Sequence, residues 1–240
     1  MCFSQEYSIS FTILGILSLI IFKNNKDLAH NLFHIPIIFY IIMETVQSIQ
    51  YNYVNECENP INRLLTEIAY ILILVQPLMW NLIFLKKNNK LRTKFHEGIL
   101  YCAVVLCIVW IIGHVIRRFD LYGSNEDLQE HNKFPEIMRG TKTCTYKNPN
   151  EHLYWKFNMN SFHGLNANWF MYLVLWFVPG LMVPGELLAV FLLFLGALFS
   201  WLYLIYKNQS KHIFPSLWCL TSSPYIFVGL LYSLYKKYTG

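Results

Sequence analysis

The chain has 240 residues, 55% of them hydrophobic and 17% aromatic, with only 14% charged and a formal net charge of +5. A soluble domain carries roughly 25% charged residues, so this composition argues against an ordinary water-soluble globule. It also argues against nucleic-acid binding, because the basic residues flank apolar stretches instead of forming a phosphate-binding patch.

In chain order, the first apolar stretch runs from Tyr7 to Phe22, the second from Leu32 to Tyr51, the third from Leu64 to Leu85 and the fourth from Gly98 to Ile116. Three more follow a long hydrophilic connector: Leu165 to Met182, Glu186 to Tyr206 and Ile213 to Tyr235. A bilayer core about 30 Å thick needs about 20 apolar residues in a helix, and only the first stretch falls clearly short. The pattern predicts an all-α fold, a polytopic membrane bundle of seven transmembrane helices forming one domain over residues 1–240. The first stretch has no Lys or Arg before it and is followed by Lys23 and Lys26, the reverse of a signal peptide.

Two connectors carry most of the remaining information. Lys86 to Lys94 reads as a solvated basic turn between the third and fourth spans. The segment from Arg117 to Asn160 mixes both charge signs with Pro135, Gly140 and Pro149, yet also holds Leu121, Phe134, Ile137 and Trp155. It is too apolar for a linker, and predicts an extramembrane loop packed on the outer surface, with a short helix around Asn125–Asn132. Basic residues in short connectors favour the cytoplasmic side. Lys23, Lys26, Lys86, Lys87, Lys90, Arg92, Lys94, Lys236 and Lys237 then place the N-terminus outside or lumenal and the C-terminus inside. Spans one to three and five to seven share that orientation, and the third of each set holds a proline after polar residues, at Gln76-Pro77 and Ser222-Ser223-Pro224. This suits a 3+1+3 parallel repeat.

The six cysteines sort by position. Cys102, Cys107 and Cys219 lie within spans and read as small apolar filler, while Cys2 sits at the N-terminal tip. Cys57 and Cys144 fall in two hydrophilic connectors on the outer side, which makes them disulfide partners in an oxidising compartment or, alternatively, two free loop thiols.

An ionisable or amide side chain within a span is costly unless it faces the bundle interior, water or a partner. In the second span Glu44, Gln47 and Gln50 recur at i, i+3 and i+6, which puts them on one helix face. His114 lies at the end of the fourth span, His163 and Asn166 at the start of the fifth, and Ser222 in the seventh, all in the outer half or near the middle. Gln76 and Asn81 stand in the inner half. These residues predict an outward-facing polar cavity centred on Glu44, with His114 or His163 as its partner, able to bind a small solute, an ion or a proton. The competing reading is a hydrogen-bond network that holds helices together. Glu67 and Glu186 sit near span ends and read as snorkelling side chains, whereas Pro179 and Pro184 read as brackets of the turn between spans five and six.

Catalysis finds little footing. An intramembrane hydrolase of the alkaline ceramidase type needs several His, an Asp and a Ser around zinc. His30 and His34 are one turn apart, but at the inner end of span two, away from the other histidines. With no Gly-x-Ser-x-Gly, Cys-x-x-Cys or His-Glu-x-x-His, the chain reads as a non-enzyme without metal or cofactor.

Three strings resemble an uncharacterised multi-pass membrane family of large DNA viruses of protists and algae: Met43-Glu44-x-x-Gln47-x-x-Gln50-Tyr51, Leu65-Thr66-Glu67 to Gln76-Pro77-Leu78, and Ser216-Leu217-Trp218-Cys219. That resemblance implies no activity. The seven spans and the 3+1+3 plan also resemble SWEET-type sugar transporters, without that family's Pro-Gln pair. Gln76-Pro77-Leu78 is similar to the Thr-Pro-Leu stretch of microbial rhodopsins, although no Lys lies inside span seven to hold retinal. The resulting expectation is an integral membrane protein for small-solute or ion passage. A ligand receptor or opsin-like sensor is the first alternative, and a structural viral or organellar membrane protein the second. Its partners would be the bilayer, a small solute, ion or proton, and further copies in an oligomer, with no nucleic acid.

Overall fold

A computed structural model describes residues 4–23, 34–86, 90–118, 138, 140, 142–158, 169–181, 187–208, 213–215 and 217–219. They are mostly helical, with α1 at Gln5–Lys23, α2 at His34–Gln50, α3 at Pro60–Lys86, α4 at Lys90–Arg118, α5 at Trp169–Leu181 and α6 at Leu187–Tyr206. A 3-10 turn, Tyr51–Tyr53, continues α2, and strands β1 (Cys144–Lys147) and β2 (Leu153–Lys156) pair as a two-stranded sheet.

Helices therefore lie on six of the seven apolar stretches. Of the seventh only residues 213–215 and 217–219 are described, so Ser222 and Pro224 lie outside the described residues. Among those described, Pro60–Leu82 and Lys94–Ile116 are the two segments long and apolar enough to cross a membrane, and Gln5–Ile21, Phe170–Leu181 and Leu195–Tyr206 are shorter apolar helices. A bundle of seven spans goes beyond that.

Three local expectations change. The basic turn is shorter than Lys86–Lys94, because α4 begins at Lys90: Lys, Leu and Arg are good helix formers and let the helix start ahead of its apolar run. Pro179 lies inside α5 instead of in a turn. The long connector contains the β-hairpin, where Cys-Thr-Tyr-Lys and Leu-Tyr-Trp-Lys are separated by Asn148-Pro149-Asn150-Glu151-His152. Aromatic and β-branched residues around an Asn-Pro-Asn turn are an ordinary hairpin signal. Asn148 Oδ1 accepts from the backbone N–H of Asn150 (3.0 Å) and His152 (2.8 Å), and Glu151 takes a φ of 68°. The short helix expected at Asn125–Asn132 lies outside the described residues.

The chain sorts into two compact units. Unit one takes the described residues of Met1–Glu56, Thr145–Tyr154 and Leu187–Gly240, and unit two those of Cys57–Cys144 and Trp155–Glu186. This grouping does not follow the two triplets of the 3+1+3 plan, because α3 belongs with α4 and α5.

In unit one α1 packs antiparallel on α2: Gln5 Nε2, at the start of α1, donates to the Ser48 carbonyl and to Asn52 Oδ1, both at 3.1 Å, near the end of α2. Gly15 is the crossing point. A Cβ there would stand 2.5 Å from Cγ1 of Ile41, so only glycine permits this approach. The buried face of α1 consists of Ser8, Gly15 and Ser18, whereas Ile9, Ile13, Ile16, Leu17 and Ile20 are exposed.

In unit two α3 packs on α4 and α5. The outward stripe of α4, Tyr101, Val105, Ile108, Ile112 and Val115, follows helical spacing and is 44–70% exposed. Its packed face carries Ala103, Cys107 and Trp110. A disulfide joins Cys57 to Cys144 across 87 positions of sequence, and Lys142 beside it pairs with Glu58.

Candidate functional site

The buried face of α2 carries three polar side chains. Pro36, Ile37, Phe39 and Met43 line its first part, and Glu44, Gln47 and Gln50 continue the same face, 4%, 1% and 1% exposed. The spacing of three residues keeps all three side chains within about one third of the helix circumference. Threonine and serine elsewhere on α2 turn back onto their own helix: Thr45 Oγ1 donates to the Ile41 carbonyl (2.7 Å) and Ser48 Oγ to the Thr45 carbonyl (2.8 Å). Their polarity is consumed locally, so they add nothing to the Glu44–Gln47–Gln50 face.

The hairpin closes one end of this face. Gln50 Nε2 donates to Thr145 Oγ1 (3.0 Å), the Asn55 N–H to the Thr145 carbonyl (3.0 Å), and the Lys147 N–H to Asn55 Oδ1 (3.1 Å). Tyr51 adds a bond from its hydroxyl to the Glu151 carbonyl (3.2 Å). Asn55 reaches this position with a φ of 66°, a left-handed conformation that asparagine tolerates better than most residues. Tyr146 and Tyr154 stack across the strands with centroids 5.2 Å apart, and burial pushes the Tyr154 phenol up, with Tyr146 adding to the shift. Gln47 differs from Gln50: among the described residues neither its amide oxygen nor its amide nitrogen has a hydrogen-bond partner.

The other sequence-predicted residues fall elsewhere. His114 belongs to unit two, where its ring lies 4.7 Å from that of Tyr70, and Tyr70 in turn packs on Phe157 at 4.7 Å. Gln76, 5% exposed, is also in unit two, where its Oε1 accepts from the Tyr172 hydroxyl at 2.8 Å. His163, Asn166 and Ser222 lie outside the described residues. Glu67 is 7% exposed and accepts from Arg63 Nε, one turn earlier, at 3.1 Å.

Unit two also holds polar contacts that the sequence did not single out. Pro179 has no N–H, so the Leu175 carbonyl one turn earlier loses its helical partner. Asn81 Nδ2 donates to that carbonyl at 2.8 Å, and to the Pro77 carbonyl of its own helix at 2.8 Å. The Pro179 carbonyl is in the last turn of α5, among the acceptors a helix end leaves open. His96 Nε2 meets it at 3.1 Å, and since a carbonyl only accepts, that nitrogen carries the proton. His96 and Asn81 are both 0% exposed. A proline inside an apolar helix, with a buried His or Asn on a neighbouring helix, was the available signal.

Among the described residues no three His, Cys, Asp or Glu side chains group as a metal site. At the edge of unit two the hydrogen bond from Lys142, reinforced by its charge, holds the exposed Glu58 carboxyl below its ordinary range.

Residues 6–239 match the model of a family of unknown function, DUF5765, and the chain belongs to that family. An uncharacterised protein of Acanthamoeba polyphaga mimivirus is 25% identical over 166 residues, a match covering 65% of this chain and 65% of the relative. The chain thus spans less than two thirds of that relative's length. This likeness agrees with the resemblance to an uncharacterised viral family, while the sugar-transporter and rhodopsin resemblances gain no support from it. No solved structure matches the chain.

Proposed function

We propose that this member of the family is a multi-pass integral membrane protein that passes a small solute or ion, using the Glu44–Gln47–Gln50 face of α2. The observation that carries the reading is inverted polarity. In α1 the exposed positions are Ile9, Ile13, Leu14, Ile16, Leu17, Ile20 and Ile21, beside Glu6, Tyr7 and Ser10 near its start, while the buried ones are Ser8, Gly15 and Ser18. In the Lys94–Ile116 segment only 17% of the most apolar window is buried, although it is the more apolar of the two candidate spans. Water would penalise both patterns, whereas hydrocarbon favours apolar side chains outside and polar ones within. The same solvent makes a buried carboxylate and two buried amides on one face expensive to keep without a function. The Cys57–Cys144 bridge suits an oxidising compartment on the side bearing the hairpin, which supports the N-out orientation.

Reconstituted into liposomes, the full chain is expected to support solute-dependent or pH-dependent flux that Glu44→Gln abolishes without loss of folded protein. Flux unchanged in Glu44→Gln removes that face from the mechanism. Absence of any flux, with Glu44→Gln folding normally, favours a structural membrane role.

A further inference from the structure

We infer that Gln47 binds a small neutral solute that carries an N–H and a C=O side by side, as a primary carboxamide does. This names the substrate class of the face just described and rests on the transport reading. A primary amide offers two donors on its nitrogen and two lone pairs on its oxygen. Gln47 is 1% exposed, and among the described residues neither its Nε2 nor its Oε1 has a hydrogen-bond partner. Folded proteins leave few buried polar groups in that condition, because the lost hydration is not returned.

The two neighbours on the same face are already engaged. Glu44 and Gln50 each have a partner of their own, Gln50 through the bond from its amide nitrogen to Thr145 Oγ1. Gln47 is therefore the group of this face that remains to meet an occupant, and the occupant is chosen by what both of its amide atoms require.

A metal cation would take Oε1 and leave Nε2 unmet. An anion would take Nε2, leave Oε1 unmet, and find no Lys, Arg or His among the buried residues of α2 to offset its charge. A neutral ligand with a donor and an acceptor on one planar edge completes both atoms at once. A carboxamide or a urea has that edge: its carbonyl accepts from Nε2 while its N–H donates to Oε1. Two separate waters make the same two bonds only by immobilising two molecules, each at its own entropic cost. Phe39 and Met43 continue the buried face in apolar side chains, which give a water few further partners and suit the hydrocarbon part of a small amide.

The test is saturation-transfer NMR on the full chain in nanodiscs of neutral lipid, with empty nanodiscs as the blank. The probe is acetamide. Its control is acetone, which keeps the shape and the carbonyl but has a methyl in place of the amino group. Acetamide is expected to give a saturable signal above the blank, and acetone to bind about tenfold more weakly, the worth of one hydrogen bond. Gln47→Leu should lose the acetamide signal and, having shed an unpartnered amide, melt no lower than the wild type. A wild type without an acetamide signal, the result if water alone occupies the site, overturns the proposal. Acetone binding as well as acetamide overturns it too, and that comparison needs no variant, so it stands even if Gln47→Leu does not fold. A Gln47→Leu protein that keeps the full acetamide signal also overturns it. The two readings separate: acetamide binding at Gln47 without flux sinks the transport reading and keeps the site, whereas flux without acetamide binding sinks the site and keeps transport.

Discussion

The two units bury similar polar chemistry and dispose of it differently. In unit two the Asn81 amide nitrogen, the Gln76 amide oxygen and the His96 ring nitrogen each meet a partner on another helix or on a carbonyl that a proline or a helix end has exposed. In unit one the Gln50 amide nitrogen is taken up by the hairpin, while neither amide atom of Gln47 has a hydrogen-bond partner among the described residues. Both Gln47 and Asn81 are enclosed, so burial alone does not show which amide ties helices together. What separates them is that the Asn81 nitrogen ties two helices together, although its oxygen, like both amide atoms of Gln47, meets no partner among the described residues.

The largest expected effect probes how far the closure of unit two depends on its covalent tie. Replacing Cys57 and Cys144 with serine removes a bridge spanning 87 positions and should cost about 2–5 kcal/mol, read as a lower unfolding midpoint in nonreducing buffer.

Next comes the amide contrast itself. Asn81→Leu leaves the Leu175 carbonyl uncovered and should destabilise the protein by about 1–3 kcal/mol, whereas Gln47→Leu should not destabilise it. Paired thermal melts check this, and a reversed order would break the comparison. Tyr172→Phe removes the hydroxyl that Gln76 accepts from and should cost about 1 kcal/mol by the same measurement. A neutral result would place Gln76 with Gln47 instead of with Asn81.

Acid titration gives the smallest effect. The folded-state value of Glu58 is depressed, so its contribution is present above the ordinary carboxylate range and is lost as pH falls through the lowered value. Because the carboxylate is exposed, the melting temperatures of wild type and Glu58→Gln should differ only slightly near neutrality and converge in acid.

Much of the helical layout was legible because apolar run length and connector charge are local properties. Glu44, Gln47 and Gln50 were legible as one face for the same reason: helical spacing fixes it. The distinction between Gln47 and Gln50 was not, since it depends on Thr145, 95 positions further along. The role of Asn81 was equally hidden, because it requires both the missing N–H of Pro179 and the approach of α5 to α3. His96 falls between the basic connector, which ends at Lys94, and the apolar run that starts at Gly98, and the helix that begins at Lys90 carries it into the interior. The hairpin was overlooked for a different reason: its aromatic residues were counted as loop packing, and the turn chemistry at Asn148 was not weighed.

The bridge between Cys57 and Cys144 makes the connected segment a closed ring. A protease that cuts once anywhere within that ring opens it without releasing a piece. The nicked product keeps the mass of the uncut chain, apart from one added water, and separates into fragments only after reduction. Vesicle-shaving experiments read on nonreducing gels would consequently count an accessible segment as protected, and only the reduced lane reports which part of the ring the protease reached.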